Sequence, residues 1–403
     1  MSQTVQAINV DITIIGGGIA GLWLLNRLRA LGYNAILFEQ NALGSGQTIA
    51  SQGMIHGGLK YTLGGAFTNI SESIAKMPSQ WRSCLAGQGE VDLSRAQRLS
   101  DHIYLWSSAS LGSKLTTFFA TQALRSRVTA LASHERPPVF QDKAFNGKLY
   151  RLQEFVVDVP SVVSALAENY REAIFKIDWR QAQFVQANDG RVEGLQINHS
   201  GQILTIQSQR FIFAAGEGNE NLLQQLSITQ PEMQRRPLHQ VLVKHDYPHP
   251  LYAHCIGTSP TPRLTVSSHA TPDGKWIWYL GGGLATKGVE QTESELIATA
   301  KQELKDLFPW IDFSQAQWGC LRINRAEPKQ GDFMLPDTAY AKSCDNVIVA
   351  WPTKLTLSPN LASEVVKLLR QQQISPKYPG LNLLATLPRP ELAQAFWESI
   401  FLS

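Results

Sequence analysis

Residues 10–40, VDITIIGGGIAGLWLLNRLRALGYNAILFEQ, constrain what this chain can fold into more than any other stretch. Val10 to Ile15 is an apolar, β-branched run that fits a buried parallel strand. Glycines follow at 16, 18 and 21. Leu22, Leu24, Leu25, Leu28 and Leu31 then recur at helical spacing, and Gly32 supplies a stop. Ala35 to Phe38 reads as a second strand, with Glu39 at its end. Strand, glycine turn, helix, strand and acid in that order predict an α/β unit that binds a dinucleotide. Gly16 permits the tight turn, Gly18 lets the backbone approach a pyrophosphate, and Gly21 lets the helix pack against the sheet. The helix start offers free N–H groups to phosphate. The Glu39 carboxylate suits ribose hydroxyls and repels a 2′-phosphate, which disfavours NADP.

The rest of the chain narrows the class. Its 403 residues suggest two lobes. A net charge of +3 is too small to argue for nucleic acid. Cys84, Cys255, Cys320 and Cys344 are scattered, which suits free thiols in a cytoplasmic protein. The N-terminus shows no signal-peptide pattern, and no apolar run is long enough to span a membrane. His245, His249 and His254 are interrupted by Pro248 and Pro250, so a solvated loop is expected there and no metal site. Neither LGGGLATKG (280–288) nor AAGEGNEN (214–221) makes a second nucleotide module. Electrons are therefore expected from an oxidisable substrate and not from a nicotinamide. Thr292 and Glu295 form a capping box for a helix stopping near Pro309. Two stretches, 111–132 and the tail 391–403, are candidates for peripheral membrane contact or for amphipathic helices packed on the protein itself.

The loop after Glu39, QNALGSGQTIASQGMIHGGLKY, is rich in glycine, hydroxyls and amides. With the fingerprint, it resembles the D-amino-acid-oxidase superfamily of FAD-dependent oxidoreductases, nearest to glycerol-3-phosphate and L-2-hydroxyglutarate dehydrogenases. EFVVDVPSVVSALAENY (154–170), QFVQANDGRVEG (183–194), RFIFAAG (210–216) and 331–369 resemble later segments of that family. The resemblance implies a Rossmann-type FAD-binding domain with a discontinuous, mostly β substrate domain. The implied FAD segments are 1–60, 150–220 and 331–375, the substrate segments 61–149 and 221–330, and the tail 376–403.

The same resemblance implies the site. FAD, held without a covalent bond, would contact the turn at Gly16, Gly18, Ile19, Ala20 and Gly21. It would contact Glu39 and Gln40, then Thr48, Ser51, Gln52, Gly53 and Met54 in the loop. Ala182 would face the adenine, Gly216 would return to the cofactor, and Leu355 and Thr356 would meet the flavin. His56 is expected beside the reactive ring as base or hydrogen-bond partner. Arg322 is the expected anchor for a substrate carboxylate, with Arg325 competing. Lys354 replaces a usual glycine, which questions the local backbone and offers an ammonium to the flavin N1 edge. Ser358 and Pro359 read as N-cap and first turn of the next helix. The implied reaction moves hydride from a small 2-hydroxy acid to flavin N5 and then electrons to oxygen or a quinone. Oxidation of an amino acid or secondary amine is the second reading, and a non-catalytic flavin-binding protein the third.

Overall fold

The computed structural model describes residues 5–58, 72–107, 128–257, 259, 261–329, 338–379, 384 and 386–401. Tyr61, Leu335–Asp337 and most of the 111–132 stretch lie outside the described residues.

Two large sheets organise the chain. The first follows the order Ala182–Gln186, Val192–His199, Gln202–Phe213, Val5–Ile15, Ala35–Glu39, Ile174–Lys176, with Val347–Trp351 also paired to Gln202–Phe213 and Tyr340–Cys344 beyond it. Val5–Ile15 is parallel to both Gln202–Phe213 and Ala35–Glu39. Its helix, Ile19–Ala30, begins directly after the glycine turn, and Gly32 just beyond it takes φ +90°. Strands buried on both faces explain the continuous apolar runs: Ala35–Glu39 and Val347–Trp351 are wholly buried. Asp189-Gly190 sits in the expected hairpin turn, with Gly190 donating to the Ala187 carbonyl.

The second sheet is mostly antiparallel. Its order is Gln317–Pro328, Met233–His245, Trp276–Gly281, Leu264–Ala270, Ala253–Cys255, Ile103–Ser107, Lys148–Leu152, Val128–Ala130. Lys148–Leu152 carries this sheet past the expected boundary at residue 150. One face packs on the helix Glu293–Leu307, which has the expected capping box at Thr292 and Glu295. The other face turns toward the first sheet. A three-stranded sheet, Met54–Ile55, Phe155–Val157, Arg98–Ser100, sits between the two. Ile55 and Phe155 join the core of the first sheet, whereas Met54 and Val156 pack on the second.

Three expectations need correction. His245 and His254 are not in a solvated loop. They lie buried on strands, because those strands are internal to the second sheet. Ser358 is not an N-cap. It is the first residue of the helix Ser358–Gln371, and its hydroxyl donates back to the Leu355 carbonyl. A third concerns LGGGLATKG, where no apolar-periodic helix is expected: a short helix, Gly283–Lys287, begins there. The tail packs on its own protein. Its helix Phe396–Phe401 lays Trp397 against His269 and Phe396 against Tyr279. No described helix is long and apolar enough to cross a membrane.

Candidate active site

The fingerprint turn is shaped for close approach. Gly16 has φ +114°, and a Cβ there would meet the Ala214 carbonyl oxygen at 2.6 Å. A Cβ on Gly21 would collide with the Gly16 carbonyl oxygen, so only glycine brings helix and strand this close. Gly18 precedes the helix and supplies no side-chain cap. Thr48, reaching in from the loop, accepts the Ile19 N–H at 3.0 Å. The N–H groups of Gly18, Ala20 and Gly21 stand where the helix itself provides no acceptor, which is the cradle a pyrophosphate needs.

Glu39 closes this cradle. Its Oε2 accepts from Gly17 N at 2.5 Å and its Oε1 from Asn41 N at 2.7 Å. Both bonds fix the carboxylate and leave acceptor capacity for ribose hydroxyls. An open cavity of about 490 Å³ lies beside it, lined by Gln40, Asn41 and residues 176–180. Ala182 begins the Ala182–Gln186 strand opposite Ile197 and does not line that cavity. Nothing in the residue types of Lys176 to Arg180 marks them in the sequence as neighbours of Glu39. What places them is strand pairing beside Glu39, seen in the Ile177 N–H donated to the Glu39 carbonyl.

Two segments expected at the flavin ring meet although they are far apart in the chain. Thr356 Oγ1 donates to the His56 carbonyl at 3.3 Å. The Thr356 carbonyl in turn accepts from the Trp81 indole. His56 is buried. Gly57 N donates to Oε1 of the buried Glu154 at 2.7 Å, which ties the loop to the Phe155–Val157 strand. Gly53 N is 3.3 Å from Ser51 Oγ. Gly216 takes φ +59°, and its carbonyl accepts from Trp351 Nε1. Lys354 is extended, with φ −146°; the positive φ falls on Thr353 instead.

The second sheet covers the same loop. Gln52 Nε2 donates to the Tyr279 carbonyl at 2.8 Å. Tyr279 Oη lies 2.8 Å from the Ala50 carbonyl and 2.5 Å from Gln240 Oε1. Strand register then separates the two candidate arginines. Arg322 opposes His239 on Met233–His245, and Leu321 opposes Gln240. Side chains alternate, so Arg322 lies on the face away from Gln240 and Tyr279. Its guanidinium donates to the carbonyls of Val289 and Gln291, at the start of the packed helix. Arg325, opposite Arg236, lies on the face turned to the loop.

These features fit FAD: a glycine cradle at a helix start, an acid at the end of the second strand, and a loop running from it to contacts with the second sheet. A family model described as FAD dependent oxidoreductase (DAO) matches residues 11–368. The chain belongs to the DAO family of FAD-dependent oxidoreductases. A Pseudomonas aeruginosa protein named as a probable FAD-dependent oxidoreductase is 47% identical over 398 residues, 98% of this chain and 99% of that protein. The crystal structure of that FAD-dependent oxidoreductase matches with a TM-score of 0.84 at 43% identity, over 98% of this chain and 99% of the other. The L-α-glycerophosphate oxidase of Mycoplasma pneumoniae, solved with FAD bound, shares the fold with a TM-score of 0.62 at 15% identity, over 96% of this chain and 100% of that one. As a DAO-family enzyme the protein uses FAD, a small-molecule substrate and an electron acceptor.

Proposed function

We propose that this DAO-family enzyme oxidises a small 2-hydroxy acid and passes the electrons to oxygen or a quinone. The first sheet with its helices would form the FAD lobe and the second sheet the substrate lobe. When bound, FAD supplies a two-electron acceptor that takes hydride from the substrate carbon. The chain's own residues do the rest. The cradle at Gly16, Gly18 and Gly21 and the Glu39 carboxylate hold the adenosine diphosphate half. Thr48, Gln52, Gly53 and Met54 run under the ring half, with Leu355 and Thr356 at its far edge. His56 receives the hydroxyl proton as the C–H bond breaks. Arg325 holds the carboxylate through its planar fork. The buried Tyr279–Gln240 pair keeps the second sheet on the loop.

The observation that supports this reading is the contact of Thr356 with the His56 carbonyl, in a loop whose Ala50 and Gln52 meet Tyr279 on the sheet face that also bears Gln240 and Arg325. It joins the His56-bearing loop to the Leu355–Leu357 turn, the two segments proposed to hold the ring. Four free thiols suit a reducing, cytoplasmic setting. Contact of the tail with a membrane gains no support, because its aromatic residues already cover Tyr279 and His269.

Anaerobic mixing with candidate substrates tests the proposal. A 2-hydroxy acid should bleach the flavin absorbance in a single turnover. Bleaching by amino acids alone would replace the substrate class, and no bleaching by either would point to a non-catalytic flavin protein. Arg325→Lys should raise KM about tenfold or more, since an ammonium lacks the fork. Arg322→Lys should leave KM near wild type, and the opposite pattern would return the anchor to Arg322.

A further inference from the structure

We infer that the C-terminal segment 387–401 is a strap over the cofactor loop, and that its middle must lift before FAD enters or leaves. This rests on FAD lying in the cradle at residues 16–21 and along residues 43–52, and on no particular substrate.

The segment starts extended, because Pro388 and Pro390 fix their own φ and bias Leu387 and Arg389 away from helix. Its first end is anchored to the first sheet. Leu384 and Leu387 are buried in that core, and the Pro388 carbonyl accepts from Lys176 N at 2.8 Å on the edge strand Ile174–Lys176. The Arg389 guanidinium donates to the carbonyls of Arg171, Glu172 and Ile174 and lies 4.2 Å from the centre of the Phe175 ring. The other end is anchored to the second sheet. Trp397 stacks on His269 with ring centres 4.0 Å apart, Phe396 packs on Tyr279, and Gly319 leaves the room that Ile400 takes.

Between these anchors the segment grips the loop. Leu43 and Leu392 form a parallel bridge: Leu43 N donates to the Glu391 carbonyl at 2.7 Å, and Ala393 N donates to the Leu43 carbonyl at 2.9 Å. Leu43 also faces the cradle. A Cβ on Gly17 would stand 2.6 Å from Leu43 Cδ2 and 2.9 Å from Glu39 Cβ, and the Gly17 carbonyl accepts from Gly44 N at 2.8 Å. The far part of the loop is held through one intermediary. Phe396 packs on Tyr279, whose hydroxyl donates to the Ala50 carbonyl at 2.8 Å. One segment therefore fixes the loop both beside the cradle and where it meets the second sheet.

The middle is the part that can come loose. Glu391, Leu392 and Gln394 are exposed, Leu392 at 44%. Backbone hydrogen bonds hold this stretch, whereas the two ends bury Leu384, Leu387 and Trp397. Segments with few buried apolar contacts open at lower free energy than the core. Breaking the two bonds frees Leu43 from the tail while both anchors stay seated.

The test uses the FAD-loaded protein. Ala393→Pro removes the donor to Leu43, and Trp397→Ala removes the anchor on the second sheet. Each should speed FAD release about tenfold or more, measured as flavin appearing in the filtrate after dilution. Leu304→Ala, in the helix on the other face of the second sheet, controls for lost stability and should leave the release rate within about twofold of wild type. Hydrogen exchange gives a second readout. FAD loading should slow exchange in segments 16–25, 40–50 and 390–401 together, and segment 390–401 should lose that protection in Ala393→Pro. Release rates unchanged in both strap variants, or raised as much by Leu304→Ala, would overturn the strap. If FAD protects neither 16–25 nor 40–50, the placement of the cofactor falls and takes this inference with it.

Discussion

His245→Phe is a substitution whose effect can be worked out before it is made. His245 is 3% exposed on the Met233–His245 strand, edge-on to Trp278 and Phe313. Neither ring nitrogen has a hydrogen-bond partner among the described residues. Burial lowers its pKa from 6.5 to about 4, with Asp246 opposing the shift weakly. The neutral form is therefore the folded form. Below its ordinary pKa the unfolded chain binds a proton that the folded chain refuses, so stability falls as pH drops from 6.5 toward 4. Between about pH 8 and pH 5 this one group removes about 2 kcal/mol. Phenylalanine cannot titrate and suits an aromatic pocket. Chemical unfolding of both proteins at fixed FAD, followed by tryptophan fluorescence, should show that the variant loses about 2 kcal/mol less over that range. Parallel pH profiles would refute the reasoning. So would an imidazole resonance, assigned to His245 by its loss in the variant, that titrates near the ordinary histidine value.

The cofactor site gives two more expectations. Glu39→Gln turns one amide N–H toward a backbone N–H that now has an acceptor, either Gly17 or Asn41. FAD affinity should fall about ten- to a hundredfold in titrations of the apoprotein, and an unchanged affinity would remove Glu39 from the ribose site. Lys354→Met should lower the two-electron midpoint potential while FAD stays bound, by about 30 mV for each 1.4 kcal/mol of lost stabilisation of the reduced ring. Matching potentials in a reference-dye titration would mean that Lys354 does not act on the flavin.

What could be read from the sequence follows from how local each signal is. The first strand, glycine turn, helix and Glu39 are legible because residue period and turn chemistry suffice. The capping box at Thr292 is legible for the same reason. The two arginines are not. They lie three apart on one strand and so on opposite faces, and only the register against Met233–His245 tells which face meets the loop. The tail is similar. Its aromatics show an apolar stripe, but the surface that receives them comes from strands far earlier in the chain, at Leu242, Ile277, Tyr279 and Leu321.

The loop before Ser358 is where residue type alone misleads. Lysine in a position usually held by glycine suggests a lysine forced to positive φ. The chain avoids this by moving the strained conformation back one residue. Thr353 takes φ +61°, and its hydroxyl donates to the Thr338 carbonyl. A β-branched residue there costs on the order of 1–3 kcal/mol, and such strain persists only where the surroundings hold it. Lys354 is thereby left extended, and the turn Leu355–Leu357 follows directly, its Thr356 hydroxyl on the His56 carbonyl. The substitution that seemed to endanger the loop thus leaves its contact with His56 intact. An ammonium there is compatible with the fold, and whether it acts on the flavin becomes a question of potential and not of backbone geometry.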